Sequence, residues 1–350
     1  MKYSKFFGKT LRGEQSGSEL ISHQLLIKGG FIAESVAGRY YFLPMGWRIH
    51  EKMKQIIKKE MDNAGAQEMI TPTLHPLELW AETNRTSTAG FELMQVKDRR
   101  GADFALGGTA EEMFVDLVRK MNLSYRDLPF NIYQFSTKFR DELRARGGLL
   151  RVREFVMKDA YSFHRDEEDF KKEYDVMADV YTTCFTKFGL ESKKVLADNG
   201  YIGGEYCHEF QVECPVGEGV FFESADGKYV AHEDVAVFVA DNKNLDDKEE
   251  ELKVVDAERG PKMEDGVDFH KLPLWQQMKD VMYADENGEL VLAVIRGDLD
   301  VNEIKLKKLI GAIDLRPATD EEIEALGSAA GFICPVGLEG KLKIVGDMSL

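Results

Sequence analysis

The feature that most restricts the fold is a pair of strand-like runs, Phe130–Phe139 and Glu154–Phe163, joined by a basic connection that turns through Ala145 to Leu150. So direct a turn makes the two runs a hairpin, hence antiparallel neighbours. A further strand-like run lies at Asp103–Leu106, and Gln67–Pro72, closed by proline, reads as a strand at a sheet edge or its end. Helical patterning flanks these strands. Between Gly46 and Ala64, residues Ile49, Met53, Ile56, Ile57 and Met61 fall on one helical face, and Gly65 supplies the stop. The stretch Glu167–Phe188 repeats the pattern with Phe170, Tyr174, Met177, Val180, Tyr181 and Phe185. Helices mixed with short strands, without regular βαβ alternation, predict an α+β fold with an antiparallel sheet flanked by helices.

A chain of 350 residues accommodates two domains. The composition places them. Residues 1–238 carry the mixed helix and strand pattern; 239–266 are dense in Asp, Glu and Lys and read as a solvated linker. Order returns in 267–350, with a strand at Glu289–Arg296, a helix Val301–Ile310 capped by Asp300, a capping box at Thr319–Glu322 and a strand at Lys341–Val345. So short a second domain is expected to be incomplete. With 43% hydrophobic and 31% charged residues the chain has the balance of a soluble globular protein. It holds no apolar run near the ~18 residues of a membrane helix, and Met1–Gly13 lacks the apolar core of a secretory signal, so a cytoplasmic location is expected. The net charge of −16 argues against a protein that coats nucleic acid, since phosphate binding needs clustered Lys and Arg, but leaves room for one RNA in a local groove.

The chemistry concentrates at the hairpin. Phe139-Arg140-Asp141-Glu142 stands at one end of its loop and Arg151-Val152-Arg153-Glu154-Phe155 at the other. Guanidinium groups clamp phosphate oxygens, a glutamate accepts from an exocyclic amine, and a phenylalanine ring stacks on a purine. Together they describe an ATP site without a phosphate-binding glycine loop; the plain alternative is a solvated hairpin with Arg–Glu pairs. In Gly107-Gly108-Thr109-Ala110-Glu111-Glu112, the Thr109-x-x-Glu112 spacing reads as a capping box for a helix Ala110–Met121, with Glu111 left over for a ligand. Cys207, His208 and Cys214 fail the paired spacing of structural zinc sites, and neighbouring strand residues face opposite ways, so neither a metal site nor a thiol nucleophile is expected there.

The Phe-Arg-x-Glu, loop, Arg-x-x-x-Phe pattern resembles motif 2 of class II aminoacyl-tRNA synthetases. The longer string Thr137–Phe163 is similar to that of bacterial prolyl-tRNA synthetases, and the resemblance runs along the whole chain. Ser22-His23-Gln24 through Leu43-Pro44-Met45-Gly46 resembles the family's N-terminus. The helix and strand ending at Pro72 resemble motif 1, which implies a homodimer through that region. Asn199 to Phe210, with Ile202-Gly203-Gly204, resembles the stretch after motif 2. The resemblance implies a class II catalytic fold in which Arg140 holds the α-phosphate, Glu142 the adenine amine and Arg151 the outer phosphates, with Phe155 under the base. Thr109, Glu111 and His208 would bind proline. ATP and Mg²⁺ would form prolyl-adenylate, which passes to tRNA(Pro). This sequence departs from the family pattern at Gly108 and Ala110, where Pro and His are common, and at Ala145 and Gly147, where Pro and Phe are.

From Lys279 onward the chain resembles the family's editing insertion. Met278-Lys279, then Val294–Glu303, then the Gly331-Phe332-Ile333-Cys334-Pro335 loop follow its pattern, with Lys279 as the implied editing residue and Gly331 and Pro335 framing the loop. A partial α/β editing domain that hydrolyses mischarged alanyl-tRNA(Pro) is the expectation, because a proline pocket rejects the smaller alanine by only ~1–3 kcal/mol. Motif 3 and an anticodon-binding domain are not in this sequence. The other expectation is therefore a truncated, non-catalytic chain that binds ATP, tRNA or a full-length partner.

Overall fold

The computed structural model describes residues 2–12, 20–86, 93–200, 204–239, 241, 243, 248, 251, 253–254, 256 and 258–350. The Ile202-Gly203 part of the stretch after motif 2 lies outside them. The chain divides into two compact units. The first holds Met1–Lys194, Gly200–Gly203 and Phe210–Cys214; the second holds Val195–Asn199, Gly204–Glu209 and Pro215–Leu350.

The first unit opens with α1 (Ile21–Lys28) and the hairpin β1 (Ile32–Val36) and β2 (Arg39–Phe42). Helix α2 (Pro44–Asn63) starts on a proline, whose missing N–H costs nothing in a first turn, and stops before Gly65 at φ +84°. Then come β3 (Gln67–Glu68), β4 (Leu74–Pro76), α3 (Leu77–Glu82), β5 (Gln95–Lys97), β6 (Asp103–Leu106) and α4 (Glu111–Lys120). The hairpin β7 (Phe130–Phe139) and β8 (Glu154–Phe163) is fully antiparallel, from Phe130↔Phe163 to Phe139↔Glu154. β3 joins β7 in parallel over only two residues. The edge strand expected to reach Pro72 is therefore shorter, because Thr71 turns its N–H and hydroxyl onto Gln134 Oε1, each at 2.9 Å. Helix α5 (Glu167–Lys187) is capped by Asp166, which accepts from Asp169 N, and has three acidic residues in its first turn against the helix dipole.

The core of this unit joins α2 and α5 to β7 through Met61, Ala66, Tyr133, Val180 and Cys184. Burial of about 1.5–3 kcal/mol per large side chain holds the helices on the sheet. The expected apolar face of α2 is only half used. Met61 is buried and Ile57 packs on this core, but Ile49 and Met53 are exposed. A second cluster, Ala110, Met113 and Phe114, packs α4 against Met69, Leu79, Ile132 and Tyr161.

β9 (Lys193–Leu196) and β12 (Val230–His232) pair in parallel at Leu196↔Ala231, with β10 (His208–Gln211) and β11 (Phe221–Glu223) completing a sheet of order β10-β9-β12-β11; β11 and β12 belong to the second unit, and the unit boundary runs within β9 and β10. After α6 (Met263–His270), the strands β13 (Met278–Asp285), β14 (Leu290–Arg296), β15 (Leu315–Pro317) and β16 (Lys343–Gly346) form a sheet of order β15-β13-β14-β16. Helices α7 (Glu303–Ile310) and α8 (Asp320–Ala325) complete the unit. All of β14 after its first residue is buried, as a strand covered on both faces requires. Tyr283, Val291 and Ala293 pack with Leu306 of α7; Met282, Leu292 and Val294 pack with Ile323 of α8, Ile333 and Leu338. Thr319 caps α8 with Glu322 in the expected reciprocal box. The cap of α7 is a correction. Asn302, not Asp300, accepts from Lys305 N, and the Asp300 carboxylate is engaged by Lys279.

Candidate active site

The ladder of β7 and β8 is extended by Arg140 N donating to Arg153 O at 2.9 Å, which sets what converges at the turn end. The Arg140 guanidinium lies over the Phe155 ring, 5.4 Å from its centroid. Arg151 grips Glu142 Oε2 with Nε at 3.0 Å and Nη2 at 2.9 Å. The four residues singled out in the sequence thus meet in two couples at one end of one hairpin.

Two glycines let neighbouring elements close on this loop. Arg153 N donates to Gly38 O at 2.8 Å, and Gly38, at φ +75°, presents a bare Cα to Ala145. On the other side Gly148, at φ +64°, lies against the ring of His23, and any Cβ there would overlap it. His23 is buried and meets Tyr40 edge-on at 5.7 Å. Two of the departures from the family pattern have a local reason. Ala145 fits the approach to Gly38, and Gly147 sits at φ +71°, in the region that favours glycine, close to Leu20.

The 107–112 segment corrects the capping-box reading. Helix α4 has Ala110 as its N-cap with no side-chain cap. Thr109 instead donates to Glu111 Oε2 at 2.5 Å, and Glu112 is buried, accepting from Arg85 Nη1 at 2.7 Å and Thr83 Oγ1 at 3.0 Å. An ion pair with Arg85 outcompetes an exposed cap once Glu112 is drawn inside. Glu111 is left on the surface side, 3.4 Å from the same Arg85 nitrogen, on a cavity of about 260 Å³ shared with Leu79, Thr83 and Val115. His208 opens β10 in the second unit, whereas Thr109 and Glu111 belong to the first. Beside it Cys207 donates its thiol to Asp198 O at 3.2 Å; burial, then the charges of Glu209 and Asp198, push that thiol up.

In the second unit Lys279 donates to Leu299 O at 2.6 Å and Asp300 Oδ1 at 2.8 Å. Alternation along β13 puts Lys279 on the face of Val281 and Tyr283, over α7, while Ile333 of the 331–335 loop packs into the opposite core. Lys279 and the Ile333 side chain therefore lie on opposite faces of this sheet. Gly331, at φ +80°, abuts Pro261, and Phe332 and Cys334 line a cavity of about 490 Å³ with Lys341; Pro335 closes the loop. Asp280 is on the loop's face, with Oδ1 lacking a hydrogen-bond partner among the described residues, and burial pushes its carboxyl up to about 6.

Sequence reasoning missed the residues beneath the site. Lys138, Asp159 and Gln134, all buried, and half-buried Tyr161 form one polar row under the 107–111 segment. Its signal is a period of two, Gln134-x-Ser136-x-Lys138 facing Asp159-x-Tyr161, inside strands otherwise read as apolar. Arg85 had no local signal at all.

A model of the tRNA synthetase class II core domain (G, H, P, S and T) matches residues 94–291, and one of the aminoacyl-tRNA editing domain matches 257–350. A proline–tRNA ligase of Exiguobacterium sibiricum is 44% identical over 351 residues, covering 100% of this chain and 62% of that protein. One from Sulfurihydrogenibium is 45% identical over 350 residues, with the same coverage. A crystal structure of prolyl-tRNA synthetase from Cryptosporidium parvum, complexed with L-proline and AMP, aligns at 19% identity over 53% of this chain and 38% of that one, with a TM-score of 0.48. The chain spans about 62% of the length of the curated relatives it matches. With an antiparallel hairpin carrying the motif 2 residues and a match to the editing domain after it, the chain belongs to the class II tRNA synthetases of the G, H, P, S and T group, and it is similar along its whole length to bacterial proline–tRNA ligases.

Proposed function

We propose that this chain serves a proline–tRNA ligase, activating proline with ATP to prolyl-adenylate for transfer to tRNA(Pro) and clearing alanine from mischarged tRNA(Pro). The observation that carries the reading is the pair of couples, Arg140 on Phe155 and Arg151 on Glu142, at the turn end of β7 and β8. Arg140 covers one face of the Phe155 ring, and a purine would stack on the other. Glu142 would accept from the adenine amine, and Arg151, half exposed, would exchange its carboxylate for the outer phosphates. An exposed pair of this kind is worth roughly 0–1 kcal/mol, so the exchange costs little. Arg140 would hold the α-phosphate while the proline carboxylate attacks it.

Thr109 and Glu111 would take the proline ring nitrogen, whose two N–H bonds need acceptors; the family resemblance assigns His208 to proline as well. Mg²⁺ would arrive with the nucleotide and offset phosphate charge. Among the described residues no group of three or more His, Cys, Asp or Glu is placed to hold a metal ion. Lys279 and the Gly331–Pro335 loop would serve editing. The proposed division is a catalytic part in 1–238, a linker in 239–266 and editing in 267–350. A homodimer through α2 is supported by the exposure of Trp47, Ile49 and Met53. No described helix is long and apolar enough to cross a membrane, which is compatible with a cytoplasmic enzyme.

The test is proline-dependent ATP–pyrophosphate exchange by the purified chain. Exchange above a proline-free control, lost in Arg140→Ala, is the expected result. ATP binding by calorimetry with no exchange would instead favour a non-catalytic binding role.

A further inference from the structure

The ladder places Ile132, Gln134, Ser136 and Lys138 of β7 directly opposite Tyr161, Asp159, Met157 and Phe155 of β8, all on one face. Lys138 is 2% exposed and Asp159 is 6% exposed, with Nζ 3.1 Å from Oδ1. Taking two charges out of water is costly and returns little stability, so a purely structural account of this pair is weak. Its surroundings are directional. Lys138 donates to Ser136 Oγ at 2.5 Å, and Gln134 Nε2 donates to Asp159 Oδ2 at 3.0 Å. Tyr161 donates its one hydroxyl proton to Asp159 Oδ2, also at 3.0 Å. The Tyr161 oxygen is then an acceptor, and Ala110 N donates to it at 3.1 Å. Thr109, 3.4 Å from that oxygen, has its own proton committed to Glu111. A hydroxyl pair at 3.4 Å with both protons spent elsewhere is a contact rather than a bond.

We propose that Lys138 is a positioning residue for amino-acid recognition, acting through Asp159 and Tyr161 to hold the Thr109–Glu111 segment in its binding geometry. Lys138 holds Asp159 through Oδ1 and so aims Oδ2 at its two donors, Gln134 and Tyr161. Asp159 fixes the direction of the Tyr161 hydroxyl, which anchors Ala110 N and leaves the Thr109 proton for Glu111. The inference rests on the reading of Glu111 as the ligand of the proline nitrogen.

The experiment uses the 350-residue chain with three variants, Tyr161→Phe, Lys138→Met and the double variant Lys138→Met/Asp159→Asn. Amide hydrogen exchange reports on residues 107–112, and proline-dependent exchange kinetics report on function. In Tyr161→Phe, which keeps the ion pair, amides of 109–111 should exchange about tenfold faster while the 140–153 loop is unchanged. KM for proline should rise about tenfold with KM for ATP within about twofold. Lys138→Met should do the same, and the double variant should recover most of the loss, because removing both charges leaves no unpaired ion. Unchanged protection of 109–111 in Tyr161→Phe, or equal shifts in both KM values, overturns the proposal. If the parental chain shows no proline-dependent exchange, the ligase reading of this chain fails instead, and the amide data still decide whether Lys138 and Tyr161 hold the segment.

Discussion

His75 lies sealed beneath Gly107 and stacks on Trp80 at 6.0 Å between ring centroids. Burial, reinforced by the charge of Lys138, lowers its pKa to about 4. The unfolded imidazole titrates near 6.5, so between those values the unfolded chain binds the extra proton. Stability is then complete above pH 6.5 and falls as pH drops toward 4, by on the order of 3 kcal/mol from this residue. Urea unfolding at pH 7.5, 5.5 and 4.5 should show that slope, and His75→Gln should flatten it. Asp280 has the opposite sign. Its carboxyl is raised to about 6, so its folded form is favoured at low pH and penalised as pH rises through 6. Asp280→Asn should gain about 1 kcal/mol at pH 7.5, after allowance for solvent screening, and nothing at pH 4. Neither residue announces itself in the sequence. Arg140, Glu142, Arg151 and Phe155 do, because their contacts are made within a single hairpin. The partners of Arg85 and the neighbours that enclose His75 come from elements that only the tertiary fold brings near, whereas Lys138 meets Ser136 and Asp159 within that same hairpin.

The central strands begin and end where their sequence pattern does, since β6, β7 and β8 match the runs read from the residues. Caps are less legible, because Ser, Thr, Asp and Asn candidates crowd the same few positions and the winner is the one without a better partner. Thr109 goes to Glu111, and Asp300 goes to Lys279. At α7 the winner is Asn302, whose Nδ2 also donates to Asp234 O at 3.1 Å. Asn302→Ala should cost about 1–2 kcal/mol, measured by denaturant unfolding, whereas Asp300→Ala should leave helix content intact. The editing candidates show a further limit. Motif spacing brings Lys279 and the 331–335 loop into one pattern but does not tell that the parity of β13 puts Lys279 and the Ile333 side chain on opposite faces of the sheet.

At the scale of the molecule, amphipathic periodicity tells which side of α2 is apolar but not what covers it. Trp47, Ile49 and Met53 face outward in the single chain. The paired substitution Ile49→Glu/Met53→Glu should shift sedimentation from dimer toward monomer while leaving the unfolding transition of the chain cooperative. A monomeric parental chain at the same concentration would remove the dimer proposal. Two compact units are present, yet the divide through 195–215 has no compositional mark. The marked stretch, 239–266, falls within the second unit, because charge density reports exposure and not which contacts bind a segment.

The imidazole of His23, wedged under Gly148, makes the opening helix a prop for the turn proposed to face the nucleotide, which lies far downstream in the chain. A protease nick that released this helix would leave every guanidinium of the turn in place and yet let the turn sag. The lesion would surface as lost nucleotide affinity, with no nucleotide ligand having been cut.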